Sequence, residues 1–561
     1  MRLLIRFFFV RLFDFELTAE SRSGSASLSG IVAGTAGIFL TVGAWLLRVF
    51  TYRYNALRET RSEELFQAAA LTDHTFLLAA MMWIVGMVAV LTGPSLFPDE
   101  TDFRVMTPMP VKRRVIFGAK LAALGLFAGL FFAFALVSSL PLFLMSSIGR
   151  LASPSWAVQL PAFLAASLLA VLFAALGVAA VHALILLAVP RERLLPISAA
   201  LGSTMLCALV MALPFVGRIP SIKEALDNGA TWLYFFPPAW FLGVERWLGG
   251  DARFASLASI GAGALLLAAA IAAAAYVALY RDFSRVMTRP ASDQGLRLGD
   301  ASVAHVRPSR RPAFTAVRAF TSATLARSVL HQGVFIAVFA IGAAVVTSRL
   351  FDLDFSPATL STRLRSADTL IGAPFALSFM AILAARASLV LPIEIRANWI
   401  FRFTEDPKHR GAELDAAISS VVRLGVVLPA VLLLPFQWAV LGPASLVTSF
   451  VAALCAWVLA EALLIEWRRI PFTCSYTIGT AFIPQIVLLG LLLYVGYSTV
   501  GSALALGSIR RSPVFGVTVC IILSAIALGI RRHRRWCAGV EPLQFEDVLP
   551  TESSPLRLTV D

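Results

Sequence analysis

The feature that most constrains this chain is a succession of long apolar runs, separated by charged segments. The hydrocarbon core of a bilayer is about 30 Å thick, and an α-helix needs about 20 residues to cross it. Charged residues make up only 14% of the chain, whereas soluble domains carry about 25%. Because the backbone in lipid must be satisfied within each segment, the runs predict transmembrane α-helices. We therefore expect an all-α, multi-pass membrane protein.

The runs divide into two diverged sets of six, which predicts twelve spans. The spans of the first half are expected at Leu28–Leu47, Phe76–Leu91, Leu121–Met145, Leu160–Val189, Leu195–Val216 and Ala255–Tyr280. Those of the second half are expected at Gly333–Thr347, Thr369–Ala385, Val421–Leu441, Ala444–Ile465, Ile478–Tyr497 and Val514–Ile530. The predicted domains are a first half at 1–280, a linker at 281–327, a second half at 328–535 and a tail at 536–561.

The distribution of basic residues predicts the orientation. With the N-terminus inside, inner segments hold about 32 Lys and Arg and outer segments about 14. The linker alone carries nine Arg. Cytoplasmic loops accumulate these residues, so both termini are expected in the cytoplasm. The basic, phenylalanine-rich start, Met1 to Leu17, lacks a small-residue cleavage site, and we expect an interfacial helix rather than a cleaved signal. A disordered basic start is the alternative.

Several ligand and partner classes are disfavoured. The net charge of +14 is spread over membrane-flanking loops, which suits anionic lipids as partners and not nucleic acid. The five cysteines are at least 17 residues apart, so neither a disulfide framework nor a CxxC site is expected. The six histidines include no His-Glu pair of a zinc helix, and no serine lies in G-x-S-x-G. We predict no cofactor, no metal and no catalytic residue.

The lysines exclude nucleotide hydrolysis through a P-loop. That motif needs Gly directly before its Lys. The four lysines follow other residues: Val111, Ala119, Ile222 and Pro407. Intramembrane charge is sparse. Arg423 and Glu461 are candidates for a polar pair across neighbouring spans, because such residues in lipid usually face a partner or a cavity. We interpret His182, which lies in a long apolar run, as a helix-contact residue.

Two turns on the predicted cytoplasmic face share a pattern. Pro98-Asp99-Glu100 and Pro392-Ile393-Glu394 each follow an apolar run and lead into a segment of mixed charges and aromatics. In the first turn, the acidic residues lie near the expected start of a short helix, where its dipole favours them. An amphipathic helix along the membrane, with its charges toward water, offers a soluble partner a binding surface. A plain solvated loop is the alternative.

Three segments carry a family resemblance. The stretch from Phe97 to Leu121, with its acidic turn, its Pro-x-Pro-Val and its Ala-Lys-Leu, resembles the coupling region of bacterial ABC-2-type exporter permeases. The segments Tyr234 to Phe241 and Arg468 to Ser475 are similar to stretches of the same group. Together they cover about a tenth of the chain. The second turn departs from this pattern, because it keeps only Pro and Glu in register and lacks the Pro-x-Pro-Val.

The resemblance implies a permease subunit in a bacterial inner membrane, powered by separate ATPase subunits. Two ATPases are expected for one chain with two lobes, and export is the implied direction. The hypothesised docking residues of the first half are Pro98, Asp99, Glu100, Arg104, Pro110, Lys112 and Arg113. Those of the second half are Glu394, Arg396, Trp399 and Arg402.

Two other classes stay open. Twelve spans in two halves are also the plan of ion-coupled secondary transporters, although the sequence offers few ionisable residues near the midplane. An intramembrane enzyme using Glu63, Glu64 or Asp73 is the third class. We interpret those three residues as a solvated interfacial face.

Overall fold

The chain is mainly helical in the residues that the structure describes, and no β-strand occurs among them. The computed structural model describes residues 2–11, 28–92, 113–147, 156–188, 194–216, 219–287, 312–351, 360–393, 399–403, 405–474, 483–511 and 513–545. It divides into two units, Met1–Leu298 and Gly299–Asp561. The boundary between the units falls inside the predicted linker. The predicted all-α membrane architecture is confirmed.

The first unit contains nine described α-helices. They are α1 Arg2–Arg11, α2 Leu28–Glu59, α3 Glu63–Thr92, α4 Arg113–Ser147, α5 Trp156–Ala188, α6 Leu194–Val216, α7 Ile222–Asp227, α8 Pro237–Leu248 and α9 Ala255–Met287. Helix α3 is central, since it packs against α4, α5, α6 and α8. Helix α1 packs on α4, where the Phe8 ring is buried against Ala119 and Ala123.

Helix α8 is short but largely buried. Pro237 and Pro238 occupy its first turn, where proline is tolerated because those N–H groups have no partner within the helix. The helix packs against α5 and α9, and its residues Phe241 and Leu242 are fully buried. At Gly243 the backbones of α8 and α9 come so close that an added Cβ would lie 2.5 Å from Leu257 Cβ. The glycine is therefore needed for this contact.

The second unit contains eight described α-helices. They are α10 Pro312–Arg327, α11 Val329–Phe351, α12 Leu360–Val390, α13 Trp399–Phe403, α14 Arg410–Leu441, α15 Ala444–Leu463, α16 Ile483–Arg510 and α17 Pro513–Val540. Helix α12 is the most enclosed and packs against α11, α14, α15 and α16. Its apolar residues Phe375 and Ile382 are fully buried.

The described helices include ten that are long and apolar enough to cross a membrane, or eleven if one bent pair is a single span. The predicted count of twelve is therefore not reached in the described ranges. Within the predicted fifth span, the apolar helix is the shorter Leu201–Ala212. The bent pair is Pro312–Ala326 with His331–Thr347, which meet at 77°. Its first half, α10, packs on α14, so the end of the predicted linker is a structured helix.

Candidate functional site

Most predicted docking residues lie outside the described ranges: Pro98, Asp99, Glu100, Arg104, Pro110, Lys112, Glu394 and Arg396. Of the others, Arg113 and Trp399 are the first residues of α4 and α13. Arg402 lies near the end of α13 with an exposed side chain. The structure therefore describes only the last docking residue of the first predicted segment and the last two of the second.

The aromatic residue Phe401 of helix α13 packs against the second unit. The ring of Phe401 packs against Phe320 of α10, with 5.3 Å between the ring centroids. On the other side, Phe403 is 85% exposed and Ile400 is 48% exposed. A five-residue helix buries too little surface to fold alone, so packing against the unit holds it in place. The arrangement leaves an apolar and basic edge facing outward.

A buried polar network occupies one end of the first unit. We call it the His74 cluster, and its members are Arg53, Tyr54, Asp73, His74, Ser146, Glu245 and Arg246. Arg53 Nη1 donates to Asp73 Oδ1 at 2.6 Å, and Tyr54 Oη donates to Asp73 Oδ2 at 2.7 Å. Asp73 is 4% exposed. The interpretation of Asp73 as part of a solvated face is therefore wrong, because its carboxylate is enclosed by two partners from α2.

His74 links three helices of the first unit. Its Nδ1 lies 2.5 Å from Glu245 Oε1 of α8, and its Nε2 lies 2.9 Å from Ser146 Oγ of α4. Burial favours the neutral form of Glu245, but the charge and hydrogen bond of His74 and the charge of Arg246 outweigh it. The pKa of Glu245 accordingly lies below its ordinary value. Ionised Glu245 therefore stabilises the attachment of α8 to α3.

The connectivity Ser146–His74–Glu245 is that of an activated nucleophile with its base and orienting acid. The surroundings of Ser146 and His74 favour a role in helix packing instead of catalysis. Ser146 is 2% exposed, and its Oγ also lies 2.9 Å from Phe143 O within its own helix. The Phe143 ring covers His74 and stacks on Phe163, with 4.1 Å between the ring centroids. A substrate carbonyl has no room beside this hydroxyl in the present conformation.

A second buried network lies in the second unit, and we call it the Asp415 cluster. Its members are Asp415, Glu461, Arg531, Arg534 and Arg535. Arg534, 2% exposed, donates to Asp415 Oδ1 at 2.7 Å and also to Glu461 Oε2. The cluster ties α14, α15 and α17 together where the long helices end.

The proposed pair between Arg423 and Glu461 does not form. Glu461 is bound by Arg534 and by the indole of Trp457, whose Nε1 is 3.2 Å from Glu461 Oε1. Arg423 lies on the exposed surface of α14. The physical reason is geometric, since Glu461 faces into the unit toward α17 whereas Arg423 faces out.

Sequence reasoning missed both clusters for different reasons. Arg531, Arg534 and Arg535 are among the basic residues of the predicted inner segments, and their spacing of three and four residues puts them on one helix face. That spacing was a usable signal for a buried acidic partner. The His74 cluster gave no comparable signal, because Glu245 is 171 residues from His74. Among the described ranges, no group of three or more His, Cys, Asp and Glu could hold a metal ion.

Comparisons of the chain with protein-family models, with curated proteins and with solved structures found no match. The class of protein is therefore defined by the fold and its sites alone. The chain is an α-helical, multi-pass membrane protein, and its many apolar helices fit a membrane transporter.

Proposed function

We propose that the chain is the permease subunit of an ABC exporter and that separate ATPase subunits dock on its cytoplasmic face. The observation that carries the proposal is α13, a short helix between two long apolar helices. Its Phe401 is anchored to the unit, while Phe403 and Arg402 face outward. A soluble partner that binds this edge and then changes conformation would displace α12 and α14 together. Such a displacement is a rigid-body motion of packed helices.

The lysine positions of the chain agree with a separate ATPase subunit. No lysine of this sequence follows a glycine, so the sequence contains no P-loop, and this agrees with nucleotide hydrolysis by a separate polypeptide. The resemblance of the stretch from Phe97 to Leu121 to the coupling region of exporter permeases supports the same partner for the first half. Two docking segments in one chain call for two ATPase subunits.

The direct test is reconstitution with and without an ATPase subunit encoded beside the chain. Liposomes holding both are expected to hydrolyse ATP faster than liposomes holding the ATPase alone. Solute accumulation against its gradient by the chain without any ATPase would end the proposal.

Point variants test the docking assignment. Phe403→Ala, and separately the reversal Glu100→Arg with Arg104→Glu, are expected to abolish co-purification of the ATPase. The matched control is Trp247→Ala, because Trp247 is an exposed aromatic residue on the opposite predicted face. Unchanged co-purification by both docking variants would refute the assignment, and equal loss in the control would do the same.

A second candidate function, ion-coupled transport, gains support from the His74 cluster. The sequence offered few buried ionisable groups, but Asp73 and His74 of the apolar helix α3 are 4% and 2% exposed. Buried histidines and carboxylates in membrane helices are the groups that proton-coupled carriers use. Uptake driven by a pH gradient without ATP, and lost in His74→Gln, would favour this function over the first.

A further inference from the structure

The last residues that the structure describes, 541–545, lie against the second unit, and we call this segment the C-terminal strap. Helix α17 ends at Val540, because Pro542 disfavours helical backbone at Glu541, the residue before it. The strap itself is not helical. The backbone N–H and C=O groups of such a segment need hydrogen-bond partners from elsewhere in the fold.

The backbone of the strap finds these partners on two loops of the second unit. The N–H of Leu543 donates to Glu405 Oε1 at 3.2 Å, and the N–H of Gln544 donates to the carbonyl of Arg468 at 2.8 Å. The carbonyl of Gln544 accepts from the thiol of Cys474 at 3.3 Å. The strap is therefore bound both by the residues before α14 and by the residues after α15.

Two neighbouring side chains of the strap are recognised in different ways. Leu543 is 6% exposed and belongs to a buried apolar cluster. Gln544 Oε1 accepts a hydrogen bond from Arg469 Nε at 3.1 Å. Extended peptides are commonly recognised in this manner, through hydrogen bonds to the backbone and pockets for side chains. The other buried members of the cluster are Leu414, Ile470 and Ala538.

The strap is connected to α13 by two routes. Phe401 of α13 packs against the same apolar cluster that buries Leu543. Glu405 follows α13 by two residues and accepts from Arg410 Nε at 2.7 Å as well as from the Leu543 N–H. Because a helix of five residues is unstable by itself, its position depends on these contacts.

We infer that the C-terminal strap acts as an intramolecular peptide ligand of the second unit, and that its binding holds α13 in the position where the proposed ATPase subunit docks. The second half of this inference rests on the proposed function, whereas the first half rests on the contacts alone. Leu543 and Glu405 are positioning residues, since they act through α13. Helices α12 and α14 pack directly on one another, so release of the strap frees α13 without unfolding the unit.

The test is hydrogen–deuterium exchange of the full chain in a mild detergent, followed by mass spectrometry. Leu543→Asp puts a carboxylate into the apolar cluster and is expected to raise exchange at residues 399–403 about tenfold or more. Gln544→Ala removes one hydrogen bond and is expected to raise it about fivefold.

Two matched variants control for the substitutions themselves. Val540→Asp makes a similar change three residues earlier at a side chain that is 66% exposed, and no increase is expected. Leu543→Met keeps the volume of the buried side chain and is expected to retain exchange close to that of the wild type.

The outcomes decide the inference. Wild-type exchange at residues 399–403 in both Leu543→Asp and Gln544→Ala would overturn it, as would an equal increase in Val540→Asp. If Leu543→Asp raises exchange throughout the second unit, Gln544→Ala decides, because its side chain is exposed and its loss leaves the apolar cluster intact. An increase in α12 as large as that in α13 for Gln544→Ala would show general destabilisation and overturn the inference.

Co-purification of the ATPase subunit separates this inference from the proposed function. Leu543→Asp is expected to lower co-purification relative to Leu543→Met. Raised exchange in the variants, with no ATPase bound even to the wild type, would end the proposed function and leave the strap as the ligand that positions α13. Unchanged exchange in the variants, with the ATPase still bound, would end the inference and leave the proposed function standing.

Discussion

The side-chain amide of Gln437 donates a hydrogen bond of 2.8 Å to the backbone carbonyl of Leu370, the carbonyl that Pro374 leaves without a partner in its own helix. Residue 374 would normally supply the N–H for Leu370 O, but proline has none. Gln437 is fully buried on α14, so the hydrogen-bond donor that the Leu370 carbonyl lacks in its own helix comes from a neighbouring helix. The proline in α12 and the packing of α14 are therefore coupled.

Replacing Gln437 by Leu is expected to destabilise the second unit by about 1–3 kcal/mol, because the Leu370 carbonyl then stays buried without a donor. The measurement is the thermal unfolding midpoint of the purified protein. The matched control is Gln437→Leu combined with Pro374→Ala, which restores an N–H at position 374. The double variant should recover stability. A double variant as unstable as the sum of the two single variants would contradict the coupling.

Replacing Arg534 by Leu is expected to be among the most damaging single changes in this chain. It leaves Asp415 without its best-buried partner and Glu461 without its only described cation. Removing one member of a buried ionic cluster costs about 3–5 kcal/mol. The unfolding midpoint should fall sharply, whereas Arg532→Gln and Arg423→Gln, both on exposed side chains, should leave it almost unchanged. An equal effect of Arg423→Gln would mean that Glu461 depends on Arg423 after all.

Replacing Gly243 by Ala is expected to separate α8 from α9. The new Cβ would lie 2.5 Å from Leu257 Cβ and 2.8 Å from the backbone nitrogen of Ala258, which cannot turn aside. Overpacking of this kind costs about 1–3 kcal/mol. The matched control is Gly263→Ala in α9, where an added Cβ meets no atom within 4 Å. The thermal midpoint should fall for the first variant and stay or rise for the second.

Removing the charge of Glu245 is expected to make stability less sensitive to acid. The pKa of Glu245 is lower in the folded protein than its ordinary value of 4.5, so its ionised form stabilises the fold. That contribution is fully present above pH 4.5 and is lost as the pH falls through the lower, folded-state pKa. The difference in unfolding midpoint between wild type and Glu245→Gln should be constant above pH 5 and shrink below pH 4.5. A difference that grows on acidification would reverse the assigned sign.

The sequence by itself determined the class of the fold. Apolar runs such as Glu63–Thr92 and Ala444–Leu463 have to be helices in lipid, because no other local structure satisfies the backbone there. The segment from Asp282 to Pro312 lacks any apolar period, and a boundary between two halves in this region stays a prediction of the sequence. The count of twelve spans also stays a prediction, because ten or eleven helices of the described ranges are long and apolar enough to cross a membrane.

The tertiary structure alone decided which charges meet. Arg423 and Glu461 were the natural pair along the sequence, yet Arg534 binds Glu461, and the side chain of Arg423 is exposed on the surface of α14. Likewise Asp73, expected in water, is buried by residues of α2. Local sequence fixes the depth and face of a residue on its own helix. The rotation of one helix against the next depends on the packing of all its neighbours, and that rotation selects the partner.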